Sequence, residues 1–280
     1  MDAGANPSFL TIHPNGRLLY AVNELEKYNG RPTGAVSAFA IARDTGALTR
    51  LNEQSSEGGA PCYVSVDRSG RVALVANYAG GSVALLSIQP DGALAPAAQV
   101  VQHTGTGPNA ERQAAPHAHC VLADPSNRFV LAADLGADRV FVYRLDLDGK
   151  SLRHVDGGDA LMRAGAGPRH IAFHPTLPLV FVANELDSTV ATLRFDAERG
   201  KLSALDTHST VRIPEREQLD RLAGRNLGQT VWAELRGSRY NLARAREKEY
   251  LAGPRGWAEA RTNSERASTQ TLSGKAYSQR

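Results

Sequence analysis

Apolar residues recur at every second position in short runs along the first three quarters of the chain, and polar turn residues separate the runs. Val140, Val142 and Arg144 alternate with Phe141, Tyr143 and Leu145, and a period of two sets successive side chains on opposite faces of a strand. The links HPNGR, DRSGR and DPSNR have the composition of tight antiparallel turns. Compared with itself, the chain shows one motif four times: NPSFLTIHPNGRLLYAVNE from Asn6, APCYVSVDRSGRVALVANY from Ala60, APHAHCVLADPSNRFVLAAD from Ala115 and GPRHIAFHPTLPLVFVANE from Gly167. Aligned on Pro7, Pro61, Pro116 and Pro168, the copies are spaced by 54, 55 and 52 residues; Asn23, Asn77, Asp134 and Asn184 follow by 54, 57 and 50. Each copy runs on into a third apolar segment (AVSAFAI, SVALLSI, RVFVYRL, TVATLRF), a turn and a fourth segment. Four strands repeated every fifty or so residues predict an all-β protein built of β-propeller blades. A β-sandwich is the rival architecture, but it would not repeat so regularly.

Large propellers commonly close with six to eight blades, and only four are recognisable. A fifth copy is due near residue 220, where the chain reads DRLAGRN without strand alternation. We therefore expect a partial propeller domain over 1–213 and an Arg-rich, non-propeller tail over 214–280, disordered or marginally helical and foreign to the fold. Its one helical candidate is Val231 to Leu251, interrupted by Gly237. The outer strand that should precede Met1 is also missing from this reading. Such an arc leaves blade faces open, which predicts poor solubility or self-association and little turnover.

Composition adds boundaries rather than a mechanism. The 280 residues are 42% apolar and 22% charged, which is globular composition. The net charge of +3 divides into −3 over residues 1–210 and +6 over the rest. The basic tail lacks the interleaved aromatic residues of a nucleic-acid arm, so no nucleic-acid partner is expected. No run approaches the roughly 18 apolar residues of a membrane helix, and MDAGANPSFL has neither the basic start nor the apolar run of a signal peptide. The expectation is a cytoplasmic protein without a membrane partner. Cys62 and Cys120 form no CxxC pair and are expected to be buried thiols.

Blade topology places the entry to each first strand and the loop between second and third strands on one face of the disc. The residues expected to ring the channel mouth are Pro7, Ser8, Asn23 and Glu24; Pro61, Cys62, Asn77 and Tyr78; Pro116, His117, His119 and Asp134; and Arg169, His170, Asn184 and Glu185. His117 and His119 stand two apart on a strand and so point the same way, suited to acid or base work near neutral pH. Arg169 suits a carboxylate, a phosphate or a developing oxyanion, or else an ion pair with Glu185. The asparagines serve turn geometry first and a ligand second. His117 and His119 with Asp134 or Glu185 also make a weak metal set; the expected site is metal-free.

NPSFLTIHPNGRLLYAVNE, VVQHTGTGPNAERQAAPHAH, DLGADRVFVYRLD and GAGPRHIAFHPTLPLVFVANELDSTV resemble the seven-bladed β-propeller lactonase family, the 6-phosphogluconolactonase type, similar in fold to fungal carboxymuconate lactonizing enzymes. The likeness covers about residues 5 to 213. It implies hydrolysis of 6-phosphogluconolactone in the pentose phosphate pathway, without metal or organic cofactor. In the lactonizing branch the active site uses a histidine of the HxH motif, the arginine of GPRH, the glutamate of NEL and a later-blade arginine. The first three map onto His119 or His117, Arg169 and Glu185; the fourth has no counterpart after residue 213. The resulting expectation is an ester hydrolase in which Arg169 holds the lactone carbonyl or an anionic substituent and His119, supported by Glu185, activates water. Asn23, Glu24, Asn77, Tyr78, Asp134, His170 and Asn184 are the expected substrate contacts. Cycloisomerisation of a carboxymuconate and a non-catalytic scaffold are the rival readings.

Overall fold

The structure is a computed structural model, and it describes residues 3–211. The expected boundary near residue 213, the tail over 214–280 and the helical candidate from residue 231 to 251 lie outside the described residues. Within them the chain forms strands and turns, with no helix. Each sequence repeat is one antiparallel sheet in chain order. The first blade is β1 (Pro7–Ile12), β2 (Leu18–Asn23), β3 (Ala35–Ile41) and β4 (Leu48–Ser55). The second is β5 (Pro61–Val66), β6 (Val72–Asn77), β7 (Ser82–Ile88) and β8 (Leu94–Gln102). The third is β9 (Ala118–Ala123), β10 (Phe129–Asp134), β11 (Arg139–Asp146) and β12 (Ser151–His154), with the short β13 (Ala160–Leu161) also pairing β11. The fourth is β14 (Pro168–Phe173), β15 (Leu179–Asn184), β16 (Thr189–Asp196) and β17 (Lys201–Ser209). The four-stranded repeat is thus as the alternation predicts.

Face-to-face packing of these sheets makes the core. Tyr20, Val22 and Val36 meet Val64, Val75 and Leu86 between the first two blades. Leu74, Val83 and Leu85 meet Val121, Val130 and Phe141 between the second and third. Leu131, Val140 and Val142 meet Ile171, Val182 and Leu193 between the third and fourth. Second and third strands are buried on both faces, which is why they read as nearly continuous apolar runs. On the outer side of β1, Leu10 and Ile12 are more than half exposed, at 55% and 57%, because alternation turns Phe9 and Thr11 to the other face.

Polar residues in the turns fasten blade to blade. Asn127 donates to Asp67 Oδ2 at 2.8 Å and accepts from the Arg68 amide at 2.9 Å. His13 Nε2 stands 3.0 Å from the Gly70 carbonyl, repeating the fastening one blade earlier. The four first strands lie beside one another at the inside of the arc.

One register differs from the sequence alignment. Pro7, Pro61 and Pro168 pair with Asn23, Asn77 and Asn184, but the residue opposite Asp134 is Ala118, not Pro116. The equivalent positions 7, 61, 118 and 168 are then spaced by 54, 57 and 50, matching the spacing of the asparagine series. Proline is no guide here, because the register is set by the hydrogen-bond ladder across β9 and β10 rather than by the ring.

Candidate active site

Every first strand carries a bulge at its entry. The register skips one residue between Pro7 and Phe9, between Pro61 and Tyr63, and between Pro168 and His170; in β9 it skips between Ala118 and Cys120. The skipped residues are Ser8, Cys62, His119 and Arg169. A bulge adds one unpaired residue and re-aims its side chain, so simple alternation does not govern His117 and His119. His117 precedes β9, whereas His119 is the bulged residue within it.

Around these positions the described residues form a continuous polar and aromatic cluster. Arg169 Nε lies 2.8 Å from Glu185 Oε2, at an angle that does not make a hydrogen bond, and its Nη1 has no partner among the described residues. Arg112 Nη2 donates to Glu185 Oε1 at 2.8 Å and reaches Tyr78 Oη at 3.3 Å. Glu185 is therefore clasped by two guanidinium groups, one oxygen to each. The Tyr78 ring stacks on His117 with centroids 4.5 Å apart and an 18° interplanar angle, and meets His119 edge-on at 5.8 Å. His119 in turn meets His170 at 5.1 Å, and His170 meets Tyr63 at 5.7 Å.

Electrostatics divides the histidines from the arginines. Burial, then the positive charge of Arg169, then His170, hold the His119 pKa well below the ordinary imidazole value. Burial and Arg169 likewise push His170 down to about 3. Both rings are neutral at physiological pH, and a neutral imidazole is the form that accepts a proton. The Cys62 thiol, raised by burial and by Glu24, donates toward the Ala118 and His119 carbonyls and is a packed thiol rather than a nucleophile. Cys120 is also buried and free, as expected.

Several expected substrate contacts turn inward instead. Asn23 donates to the Ala3 and Ala5 carbonyls, both at 2.9 Å, and accepts from Ser37. Asn77 donates to the Ser56 carbonyl and Ser82, and Asn184 donates to Thr189. Asp134 is wholly buried, with Oδ2 2.7 Å from His103 Nδ1 and Oδ1 accepting from the His117 and Ala137 amides. The structure ties these four side chains into the loops through the bonds named, while Oδ1 of Asn77 and Oδ1 of Asn184 are buried without a partner among the described residues. Glu24 is half-buried on the rim of the first blade, at the position equivalent to Glu185. The expected support of His119 by Glu185 is also corrected: His119 Nδ1 has no partner among the described residues, and the carboxylate serves the two arginines. The alternative metal set does not assemble; among the described residues no three His, Cys, Asp or Glu side chains are placed to hold an ion.

Sequence reasoning missed Arg112. It lies in the Gly-rich segment TGTGPNAERQAAPHAH, whose path is set by Gln113. That side chain is fully buried, donates to the Leu135 carbonyl at 2.8 Å and accepts from the Asn109 amide at 3.2 Å. A side-chain carbon on Gly107 would stand 2.4 Å from Gln113 Cδ, so glycine lets the loop close over the glutamine. Asn109 Oδ1 accepts from the Arg112 amide at 3.1 Å. The available signal was a glutamine beside an arginine in a glycine-rich loop running into the histidine motif.

A β-propeller arc with an Arg–Glu–Arg cluster and a neutral histidine at its inner rim defines a class, and comparison with known proteins agrees. The profile of the family described as "Lactonase, 7-bladed beta-propeller" matches residues 1–239, and the chain belongs to that family. It is 37% identical over 206 residues to the 6-phosphogluconolactonase of Bacillus subtilis, covering 74% of this chain and 56% of that protein. It is 29% identical over 192 residues to the 6-phosphogluconolactonase of Formosa agariphila, covering 68% and 54%. The structure of the Pseudomonas aeruginosa periplasmic gluconolactonase superposes with a TM-score of 0.69 at 32% identity, covering 76% of this chain and 60% of that one. The chain spans about half the length of the curated relatives it matches.

Proposed function

We propose that this protein hydrolyses a sugar lactone, 6-phospho-D-glucono-1,5-lactone, to 6-phosphogluconate in the pentose phosphate pathway. The observation that carries the reading is the placement of Arg169 and His119 at equivalent bulge positions of adjacent first strands, with Glu185 steering the arginine. Arg169 donates hydrogen bonds to the lactone carbonyl oxygen, which gains charge as water attacks the acyl carbon. His119 takes a proton from that water. The acyl–ring oxygen bond then breaks, and the imidazolium returns the proton to the departing ring oxygen, leaving the open-chain acid. No step calls for a metal or organic cofactor. A cytoplasmic location accompanies this reading, supported by two cysteines that stand unpaired in the described fold.

The direct test is acid release by the purified 280-residue protein from 6-phosphoglucono-1,5-lactone, with spontaneous opening subtracted, beside a carboxymuconate. Turnover of the lactone supports the reading. Turnover of the muconate alone favours the cycloisomerase, and turnover of neither favours a scaffold.

The shifted histidine also changes the expected pH profile. An ordinary imidazole, with a pKa of about 6.5, would lose its basic form as pH falls through that value. Because burial and Arg169 lower the His119 pKa, the base stays unprotonated there. The blank-corrected rate should hold across pH 7 to about 6 and fall only at more acidic pH. A midpoint at or above about 6.5 would remove His119 as the base.

A further inference from the structure

The Arg112 side of the cluster has no part in the hydrolysis just described, yet it is a built site. Arg169 is deep, with 15% of its side chain exposed, and lies beside His119; Arg112 is 40% exposed at the outer end of the same carboxylate. A substrate whose reacting carbonyl sits at Arg169 therefore directs its far end toward Arg112. Two guanidinium groups on one carboxylate leave a surplus positive charge, and burial keeps His119 and His170 from adding to it. Nη2 of Arg112 is occupied by Glu185 and Tyr78, while no partner holds its Nε or Nη1 among the described residues. The buried Gln113 next to it fixes the loop, so little ordering accompanies binding.

Resting on the proposed lactonase reading, we propose that Arg112, with Tyr78 beside it, is the subsite that recognises the phosphate monoester of the substrate and so sets its preference for a phosphorylated over an unphosphorylated sugar lactone. Glu185 holds the guanidinium by one nitrogen and orients its remaining donors toward the incoming anion. Phosphate favours such a planar, multidentate partner, and partial exposure lets a dianion keep part of its hydration.

Calorimetric titration of the 280-residue protein with 6-phosphogluconate and with gluconate tests this without relying on turnover. The wild type should bind the phosphorylated acid at least about tenfold more tightly. Arg112→Ala should reduce that ratio about tenfold or more, and Arg112→Lys, which keeps the charge without the fork, should recover part of it. A merely positioning role would weaken both acids alike or lower kcat with the affinity ratio intact; either result, or a wild type without preference, overturns the subsite. Thermal unfolding of both variants identifies a folding defect, and the lysine variant then carries the comparison. Preference for 6-phosphogluconate without lactone turnover would preserve the subsite and reject the hydrolase reading. Lactone turnover indifferent to phosphate would do the reverse.

Discussion

Arg169→Ala is expected to lower kcat/KM for 6-phosphoglucono-1,5-lactone by about 10²–10³-fold, the range seen when a donor to a developing oxyanion is removed. The fold should survive. Arg112 remains bound to Glu185 at 2.8 Å, so deleting Arg169 does not strand the carboxylate as an unpaired charge. The same substitution removes a positive charge that helps depress the His119 pKa. Residual activity should therefore begin to fall at a higher pH than in the wild type, a shift that loss of substrate affinity alone does not produce. Arg169→Lys should restore only part of the rate, since an ammonium cannot face Glu185 and the carbonyl with one rigid plane. An Arg169→Ala enzyme with unchanged kcat/KM would exclude the arginine from the chemistry.

Asp134→Ala should be the most damaging change to stability among the rim residues, costing about 3–5 kcal/mol. The aspartate and His103 side chains are both fully buried and 2.7 Å apart. The other oxygen of the carboxylate accepts from the His117 and Ala137 amides, at 2.8 and 2.9 Å. Alanine would leave those donors buried without an acceptor, and His103 Nε2 already has no hydrogen-bond partner among the described residues. Asparagine occupies the equivalent position in the other three blades and retains one acceptor, so Asp134→Asn should cost less, about 1–3 kcal/mol. Urea denaturation of the three proteins, compared at equal slope, measures both values. A loss below about 1 kcal/mol in Asp134→Ala would show that solvent enters the site and replaces the carboxylate.

The fold was legible because its information is local and repeated. Alternation such as that of Val140 to Leu145 follows from the two-residue period of a strand, and turns such as HPNGR and DPSNR mark where strands reverse. Arg169 and Glu185 were legible as rim residues because second strands end beside the entry of first strands in every blade, whatever the side chains. Less was visible in the third repeat. Pro116 imitates the prolines of its sister repeats, but pairing of Ala118 with Asp134 fixes the register, and that pairing joins residues on different strands.

The sequence by itself determined the all-β class, the four-stranded repeat and the blade edge on which polar chemistry gathers, since these follow from periodicity and turn chemistry along the chain. Only the tertiary structure decided which polar residues gather in one cluster at the rim and which are tied into loops. Asn23, Asn77, Asp134 and Asn184 share the rim with Glu185, yet each is hydrogen-bonded to neighbouring groups within the protein. Arg112 reaches the cluster only because a buried Gln113 bends its loop across to the fourth blade, where Glu185 stands. Likewise, the His119 ring is held neutral because packing removes it from water beside a guanidinium. A hydrogen-bond partner and a pKa belong to the surroundings of a side chain, and those surroundings are assembled from residues far apart in the chain.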